Sequence, residues 1–246
     1  MAAVTVLKAP LLEARALTRH FGGLRAVDRV DFALHQGEIR ALIGPNGAGK
    51  TTFVSLLSGR IAPQSGSIRF AGEDITRLPA HARVAKGIAY TFQITSIYAG
   101  LSVFDNLALA VQRHSHRNLR PATMAALDRV GLADRADQLA GTLSYGHQRL
   151  LEIAMGLALH PRLLILDEPT QGLANAEIDT FKVLVRSVVP QTTVLLIEHN
   201  MDVVMDLAQR ITVLNFGQVL ASGTPSDIRA NRAVQDAYLG ASHAAD

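Results

Sequence analysis

The 246-residue sequence contains no cysteine, which excludes both disulfide bonds and metal sites built from thiolates. It also lacks a long block of basic residues, because 24 Lys and Arg are balanced by 21 Asp and Glu and leave a net charge of +3. Such a balance does not indicate a nucleic-acid partner. Internal repeats and low-complexity segments are absent as well. The composition is typical of a globular protein from a reducing compartment.

No stretch of the sequence is suited to crossing a membrane. The longest uncharged run, residues 87–104, contains Gln93, several hydroxyl side chains and two glycines. Residues 1–12 show no basic segment followed by a long apolar one, so we expect no secretory signal. We therefore expect a soluble, cytoplasmic protein whose membrane role, if it has one, depends on a partner.

The spacing of apolar residues predicts an α/β fold in one domain with a smaller lobe. Alternating apolar residues at 30–34 predict an antiparallel strand, as does the run at 11–18. Continuous apolar runs predict parallel strands covered on both faces, at 39–43, 88–92, 163–166 and 193–197. Helical spacing occurs at 103–111, 124–130, 150–159, 178–189 and 201–208. A hairpin around Gly217 is predicted to close the sheet.

A glycine-rich segment separates the 39–43 strand from a helix. It comprises Gly44, Pro45, Asn46, Gly47, Ala48, Gly49, Lys50 and Thr51, with Thr52 directly after. Glycines permit positive φ angles and close approach of backbone N–H groups to phosphate, and the helix N-terminus adds partial positive charge. In this pattern Lys50 reaches the terminal phosphates and the Thr51 hydroxyl completes a Mg²⁺ shell. A threonine-capped turn is the plainer alternative, but the full spacing predicts a nucleotide site.

Polar residues follow three of the other predicted parallel strands. Gln93 follows the 88–92 strand, Asp167 and Glu168 follow the 163–166 strand, and His199 lies just beyond the 193–197 strand. Ligands of parallel sheets bind at the carboxyl ends of the strands, so we expect these residues around the phosphates. Asp167 suits a water-mediated Mg²⁺ ligand, Glu168 a base for water, Gln93 a contact to metal or water, and His199 a γ-phosphate contact. Each taken alone is an ordinary strand-end residue.

A further motif, Leu-Ser-Tyr-Gly-His-Gln at 143–148, precedes the 150–159 helix. Ser144 is a favourable N-cap, and Gly146 leaves backbone N–H groups uncovered. The motif is either a capped helix and nothing more, or a second phosphate-binding helix N-terminus. The second interpretation makes sense when the nucleotide belongs to another subunit, because the glycine loop already holds the phosphates in its own chain.

Taken in order, these motifs resemble the ATP-binding cassette ATPases over nearly the whole chain. Residues 44–51 match the Walker A loop, Gln93 the Q-loop, 143–148 the signature motif, 163–168 the Walker B strand and His199 the switch histidine. The resemblance implies a P-loop NTPase core with a mostly parallel sheet, an antiparallel β subdomain and a helical subdomain of about 94–160, within a single domain 1–246. It implies ATP and Mg²⁺ as cofactors and Phe21 as the aromatic residue that stacks on adenine. It also implies a homo- or heterodimer in which Ser144 and Gly146 face the partner's ATP, with Glu168 as general base.

Four local features look like the ATPase subunits of branched-chain amino acid importers. They are Tyr-Thr-Phe-Gln at 90–93, Leu-Ser-Tyr-Gly-His-Gln at 143–148, Ile-Glu-His-Asn-Met at 197–201 and Ala-Tyr-Leu-Gly at 237–240. This likeness implies transmembrane permease partners, an indirect link to a substrate-binding protein, and a place on the cytoplasmic face of the membrane. Importers of urea and other amides, and ATPases of lipopolysaccharide transport, share the same features. Two positions depart from the family pattern: Tyr145 in the third place of the signature, and Ala174 where an aspartate is usual.

Other functional classes fit the sequence less well. Cassette ATPases that act on DNA or ribosomes usually carry a coiled-coil insertion or a second cassette, and this chain has no heptad run. A small GTPase or a kinase would have no use for the 143–148 motif. The sequence also has no Asn-Lys-x-Asp motif, which guanine recognition requires. A protein that only binds nucleotide leaves Glu168 unexplained. For the membrane partner, the candidate docking surface is within residues 94–112, where Ile94, Ile97, Tyr98 and Leu101 form an apolar surplus. Ordinary packing into the core explains that surplus equally well.

Overall fold

The computed structural model describes residues 9–91, 96–114 and 117–241. In these ranges the strands are β1 (Leu12–Phe21), β2 (Leu24–Leu34), β3 (Ile39–Ile43), β4 (Ser65–Phe70), β5 (Glu73–Asp74), β6 (Ile88–Thr91), β7 (Leu163–Asp167), β8 (Thr193–Ile197), β9 (Arg210–Asn215) and β10 (Gln218–Gly223). The helices are α1 (Lys50–Ser58), α2 (Ala80–Ala85), α3 (Val103–Val111), α4 (Leu119–Asp128), α5 (Tyr145–Ala158), α6 (Asn175–Val188), α7 (Met201–Leu207), α8 (Pro225–Ala230) and α9 (Arg232–Ala241). Among these helices, none is both long and apolar enough to cross a lipid bilayer.

The larger sheet has six strands in the order β10-β9-β3-β8-β7-β6. Strands β9, β3, β8, β7 and β6 run parallel, and β10 pairs antiparallel with β9 as the predicted closing hairpin. Every residue of β3, β7 and β8 is buried, which explains their nearly continuous apolar sequences. The parallel α/β prediction is confirmed. Because β3, β8, β7 and β6 are successive neighbours, their carboxyl ends form one edge.

The smaller sheet is antiparallel, with the order β2-β1-β4-β5. Strand β1 extends to Phe21, three residues beyond the predicted end, because register shifts interrupt its pairing with β2 and break the alternation. Ala16 adopts φ +46° at this irregularity. Helix α1 lies between the two sheets, where the Phe53 ring meets Phe32 of β2 edge-on at 5.4 Å between ring centroids. Helix α1, which follows the glycine loop, therefore contacts both β2 and β6.

Helices α3, α4 and α5 pack together over an apolar core that includes Leu107, Leu127 and Leu151. Helix α4 begins at Leu119, five residues before the predicted start. Pro121 lies in its first turn, where a missing N–H donor leaves no intrahelical bond unmade. Helix α3 has the predicted bounds. Helix α5 begins at Tyr145, so the 143–148 motif forms its N-terminal end.

Candidate functional site

The 44–51 loop connects β3 to α1 and is built on three glycines with positive φ. Gly44, Gly47 and Gly49 have φ angles of +153°, +77° and +99°. A Cβ at Gly44 would lie 2.2 Å from the Leu214 carbonyl oxygen, and one at Gly49 would lie 2.1 Å from that of Ala26. The backbone of the loop therefore packs directly against β9 and β2, and only glycine fits at these two positions.

Lys50 folds back over the loop. Its Nζ donates hydrogen bonds to the carbonyl oxygens of Gly44, at 2.6 Å, and Pro45, at 3.1 Å. Burial lowers the pKa of the ammonium group, and the charges of Glu168 and Asp167 oppose that shift. The N-cap of α1 is Gly49, which has no side chain to accept from the first turn. The half-buried Lys50 ammonium group therefore lies beside the N–H groups of the first turn of α1, which have no acceptor within the helix. This is the arrangement of a phosphate-binding site.

Asp167 ends β7 with its side chain deeply buried, at 3 % exposure. Burial raises the pKa of this carboxyl group, and a 2.6 Å hydrogen bond donated by the Tyr90 hydroxyl acts in the opposite direction. The Arg149 guanidinium donates to the Asp167 carbonyl oxygen and pairs with Glu152 at 2.6 Å. Sequence reasoning missed Tyr90 and Arg149, because a tyrosine in an apolar strand and an arginine in a helix resemble ordinary packing residues.

Glu168 and His199 face each other across the neighbouring ends of β7 and β8. Glu168 has φ +48°, an unusual left-handed conformation for a non-glycine residue, and its N–H donates to the Ile197 carbonyl oxygen at 2.9 Å. The His199 Nδ1 lies 3.9 Å from Glu168 Oε2. The His199 side chain is 62 % exposed and that of Glu168 is 21 % exposed, so the pair faces solvent mainly through His199.

Glu198 is a buried carboxylate that sequence reasoning also missed. It accepts hydrogen bonds from both the N–H and the hydroxyl of Thr170, and from the N–H groups of His199 and Asn200 at 2.9 and 3.0 Å. The segment after Glu168 is thereby fixed to the segment after β8. In the sequence, the only sign of this role is that a charged residue directly precedes His199. The Glu198 side chain points into the protein because of the way β8 pairs with β7, which the sequence does not show.

Ser144 is the N-cap of α5, as predicted. Its Oγ accepts from the His147 N–H at 3.3 Å and lies 2.8 Å from His147 Nδ1. Gly146 is buried beneath the carboxyl group of Glu177, which extends from the first turn of α6. In the single chain, a side chain from α6 therefore lies over this helix end.

The remaining predicted residues are distributed as follows. Phe21 ends β1 at 46 % exposure, with the Arg19 guanidinium 4.9 Å from its ring centroid. Gln93 and Ile94 lie outside the described residues. Tyr98 and Leu101 are exposed, whereas Ile97 packs against the core of the helices.

Comparison with known proteins fits this geometry. The model of the ABC transporter family matches residues 27–171, more than half of the chain. The chain belongs to the ATP-binding cassette (ABC) transporter family. A second family model, described as branched-chain amino acid ATP-binding cassette transporter, matches residues 218–244 of the cassette. Tyr238 falls in that match. Burial raises the pKa of Tyr238 to about 12, and a hydrogen bond with the Gly44 backbone partly opposes that shift. Helix α9 therefore reaches the start of the glycine loop.

Individual relatives match over almost the full cassette. The high-affinity branched-chain amino acid transport ATP-binding protein BraF of Pseudomonas aeruginosa is 42% identical, covering 94% of this chain and 98% of BraF. The corresponding protein LivG of Escherichia coli is 39% identical with the same coverage. A solved ATP-binding cassette of an ABC transporter superposes with a TM-score of 0.86 at 25% identity, covering 93% of this chain and 98% of that one. Its ADP conformation gives 0.83. The predicted fold and the assignment as an ATPase subunit of an ABC transporter are confirmed.

Proposed function

We propose that this cassette hydrolyses ATP to drive the import of branched-chain amino acids or related amino acids and amides. The observation that carries the proposal is the order β3-β8-β7-β6, which sets the glycine loop, His199, and Asp167 with Glu168 along one sheet edge. The cargo class is supported by the 42% identity to BraF and by the family match at 218–244. Transmembrane permease subunits, supplied by a substrate-binding protein, would hold the cassette on the cytoplasmic face of the membrane.

ATP fits the loop described above. Residues 44–52 surround the phosphates with backbone N–H groups, the Lys50 ammonium exchanges its carbonyl partners for phosphate oxygens, and Phe21 stacks on the adenine. Mg²⁺ fits the oxygen donors of Thr51 and Asp167, with Gln93 as a further ligand. Within the described residues no group of three or more His, Asp or Glu is arranged to hold a metal. Mg²⁺ keeps waters and phosphate oxygens as ligands and neutralises phosphate charge.

Hydrolysis needs a base beside the attacking water, and we assign that role to Glu168. Its left-handed backbone conformation turns the chain sharply after β7, and the Ile197 carbonyl oxygen and Glu198 fix that turn on both sides. Strain of this kind is kept where the surrounding structure over-determines it, commonly at active sites. His199, 3.9 Å from the Glu168 carboxylate, orients the water and contacts the γ-phosphate.

A second ATPase subunit, identical or different, completes the site. Ser144 and Gly146 of α5 then contact the ATP bound to that partner, because their own glycine loop is already filled. Residues 94–160 act as the helical subdomain that carries this helix. Exposed Tyr98 and Leu101 contact the permease.

The test of the ATPase mechanism is Glu168→Gln. We expect retained ATP affinity, turnover reduced by about 10²–10⁴-fold, the usual contribution of a general base, and a closed dimer that accumulates with ATP in light-scattering measurements. Lys50→Ala should weaken ATP binding itself. Exposed Glu73→Gln is the matched control and should leave both quantities unchanged. Wild-type turnover in Glu168→Gln, or unchanged ATP affinity in Lys50→Ala, would contradict the assigned roles.

Cargo and docking need the complete transporter. The cassette purified with its permease subunits and reconstituted in vesicles should show ATPase activity stimulated by leucine-loaded binding protein, and uptake of leucine rather than urea. Tyr98→Glu with Leu101→Glu should abolish capture of the permease while basal ATPase activity persists. Stimulation by urea alone would contradict the proposed cargo. Unimpaired capture of the permease by the double variant would show that Tyr98 and Leu101 do not form the docking surface.

A further inference from the structure

The Glu177 side chain lies across the N-terminal end of α5. Its Oε1 is 3.4 Å from the Ser144 hydroxyl, and its Oε2 accepts a 2.9 Å hydrogen bond from the Ala174 N–H. A Cβ built on Gly146 would lie 2.1 Å from the Glu177 carboxyl carbon and 2.2 Å from each of its oxygens. The carboxyl group therefore covers Gly146, the surface that a nucleotide from the partner subunit must reach.

We propose that Glu177 is an internal occupant of the signature-motif anion site, displaced when the partner subunit's ATP arrives. This inference rests on the proposed function. Helix α5 has 14 residues, and its N-terminal N–H groups attract a negative group. A carboxylate and a phosphate repel each other at one helix end, so only one of them occupies it. Glu177 thus raises the ATP concentration at which two cassettes close.

A second contact ties the same two segments together. The Tyr145 ring packs on Gly172, where a Cβ would lie 3.0 Å from Tyr145 Cε1 and where φ is +76°. Tyr145 is the residue that departs from the usual signature pattern. The segment from Glu168 to Glu177 therefore meets the signature motif at two points, and its first residue is the proposed base.

The test is the ATP dependence of dimer closure, measured in the Glu168→Gln background so that hydrolysis does not reopen the dimer. Glu177→Gln keeps the shape of the side chain and an oxygen for the Ala174 N–H, and removes only the charge. We expect the ATP concentration at half-maximal dimerisation to fall by about fivefold or more, the lower end of the usual coupling between sites. Asp179→Asn, an exposed carboxylate on the same helix, is the matched control and should leave the midpoint unchanged.

The results distinguish a failure of the Glu177 role from a failure of the proposed function. A midpoint in Glu177→Gln equal to that of the control, or higher, would overturn the role of Glu177. Monomer ATP affinity should not change, and an unchanged melting temperature would show that the helix cap remains intact. If Glu168→Gln alone forms no dimer at saturating ATP, the proposed function fails, which is a distinct result visible before Glu177 is altered. Glu177→Asp, shorter by one methylene but still charged, should stay closer to the parent midpoint than Glu177→Gln.

Discussion

The Tyr90 hydroxyl donates a 2.6 Å hydrogen bond to Oδ2 of Asp167, joining the ends of neighbouring strands β6 and β7. The Arg60 guanidinium supports the tyrosine from outside, 3.3 Å from its hydroxyl oxygen and 5.3 Å from its ring centroid. Burial raises the pKa of Asp167, and this hydrogen bond partly restores the ionised form. The proposed Mg²⁺ ligand is therefore tuned by a tyrosine whose contact with Asp167 the sequence pattern does not indicate.

Tyr90→Phe should shift the acid side of the Mg²⁺-dependent ATPase profile to higher pH. The hydrogen bond lowers the pKa of Asp167, so its loss raises that pKa further, and the carboxylate is protonated at a higher pH than in the parent. The measurement is ATPase rate against pH at limiting and saturating Mg²⁺. Tyr98→Phe, an exposed tyrosine away from Asp167, is the control. Superimposable profiles for the two variants would show that Tyr90 does not tune the carboxylate.

Asp167→Asn should stabilise the isolated cassette while abolishing turnover. A pKa raised in the folded state means that the stability this group contributes is present below its unfolded value of 3.8 and is lost as pH rises through the folded pKa. At neutral pH the buried charge therefore opposes folding, and a neutral amide removes that penalty while still accepting from Tyr90. We expect the melting temperature without nucleotide to rise by about 2–4 °C, equivalent to roughly 1 kcal/mol for a chain of this size. A lower melting temperature would contradict the desolvation argument.

Gly49→Ala should destabilise the fold far more than Gly47→Ala. Both glycines have positive φ, which costs an alanine about 1 kcal/mol. A Cβ at Gly49 also meets the Ala26 backbone, whereas nothing lies within 4 Å of one at Gly47. Adding the cost of overpacking, we expect on the order of 3 kcal/mol for Gly49→Ala in chemical unfolding experiments. Equal losses for the two variants would mean that φ strain alone requires glycine in this loop.

Glu198→Gln should loosen the turn that holds Glu168. The carboxylate accepts hydrogen bonds from Thr170 and from the N–H groups after β8, and an amide NH₂ in its place faces those donors with another donor. Leaving buried donors unpaired costs about 1–3 kcal/mol. We expect a lower melting temperature together with a lower kcat, and a smaller effect on ATP affinity. Asp128→Asn, at an exposed position on α4, is the control. A lower stability without any change in kcat would show that Glu198 does not position Glu168.

Most of the fold was predictable because its strands and loops obey local rules. The buried strands β3, β7 and β8 have almost uninterrupted apolar sequences, and β8 has the predicted bounds. The errors lie where tertiary packing overrides a pattern. Strand β1 continues past its predicted end, where register irregularities break the alternation. The start of α4 was placed too late because its first turn contains Pro121, a residue that usually indicates a helix boundary.

The glycine loop, the order of the motifs and the N-cap at Ser144 were determined by the sequence alone. Each depends on neighbouring residues: glycines that permit positive φ, a lysine beside a helix start, a hydroxyl before a helix. The partners of these residues were decided only by the tertiary structure. Tyr90 reaches Asp167 across 77 positions, and Glu177 reaches Ser144 across 33. Such pairs depend on strand order and on helices meeting at their ends, and no local spacing in the sequence specifies either of them.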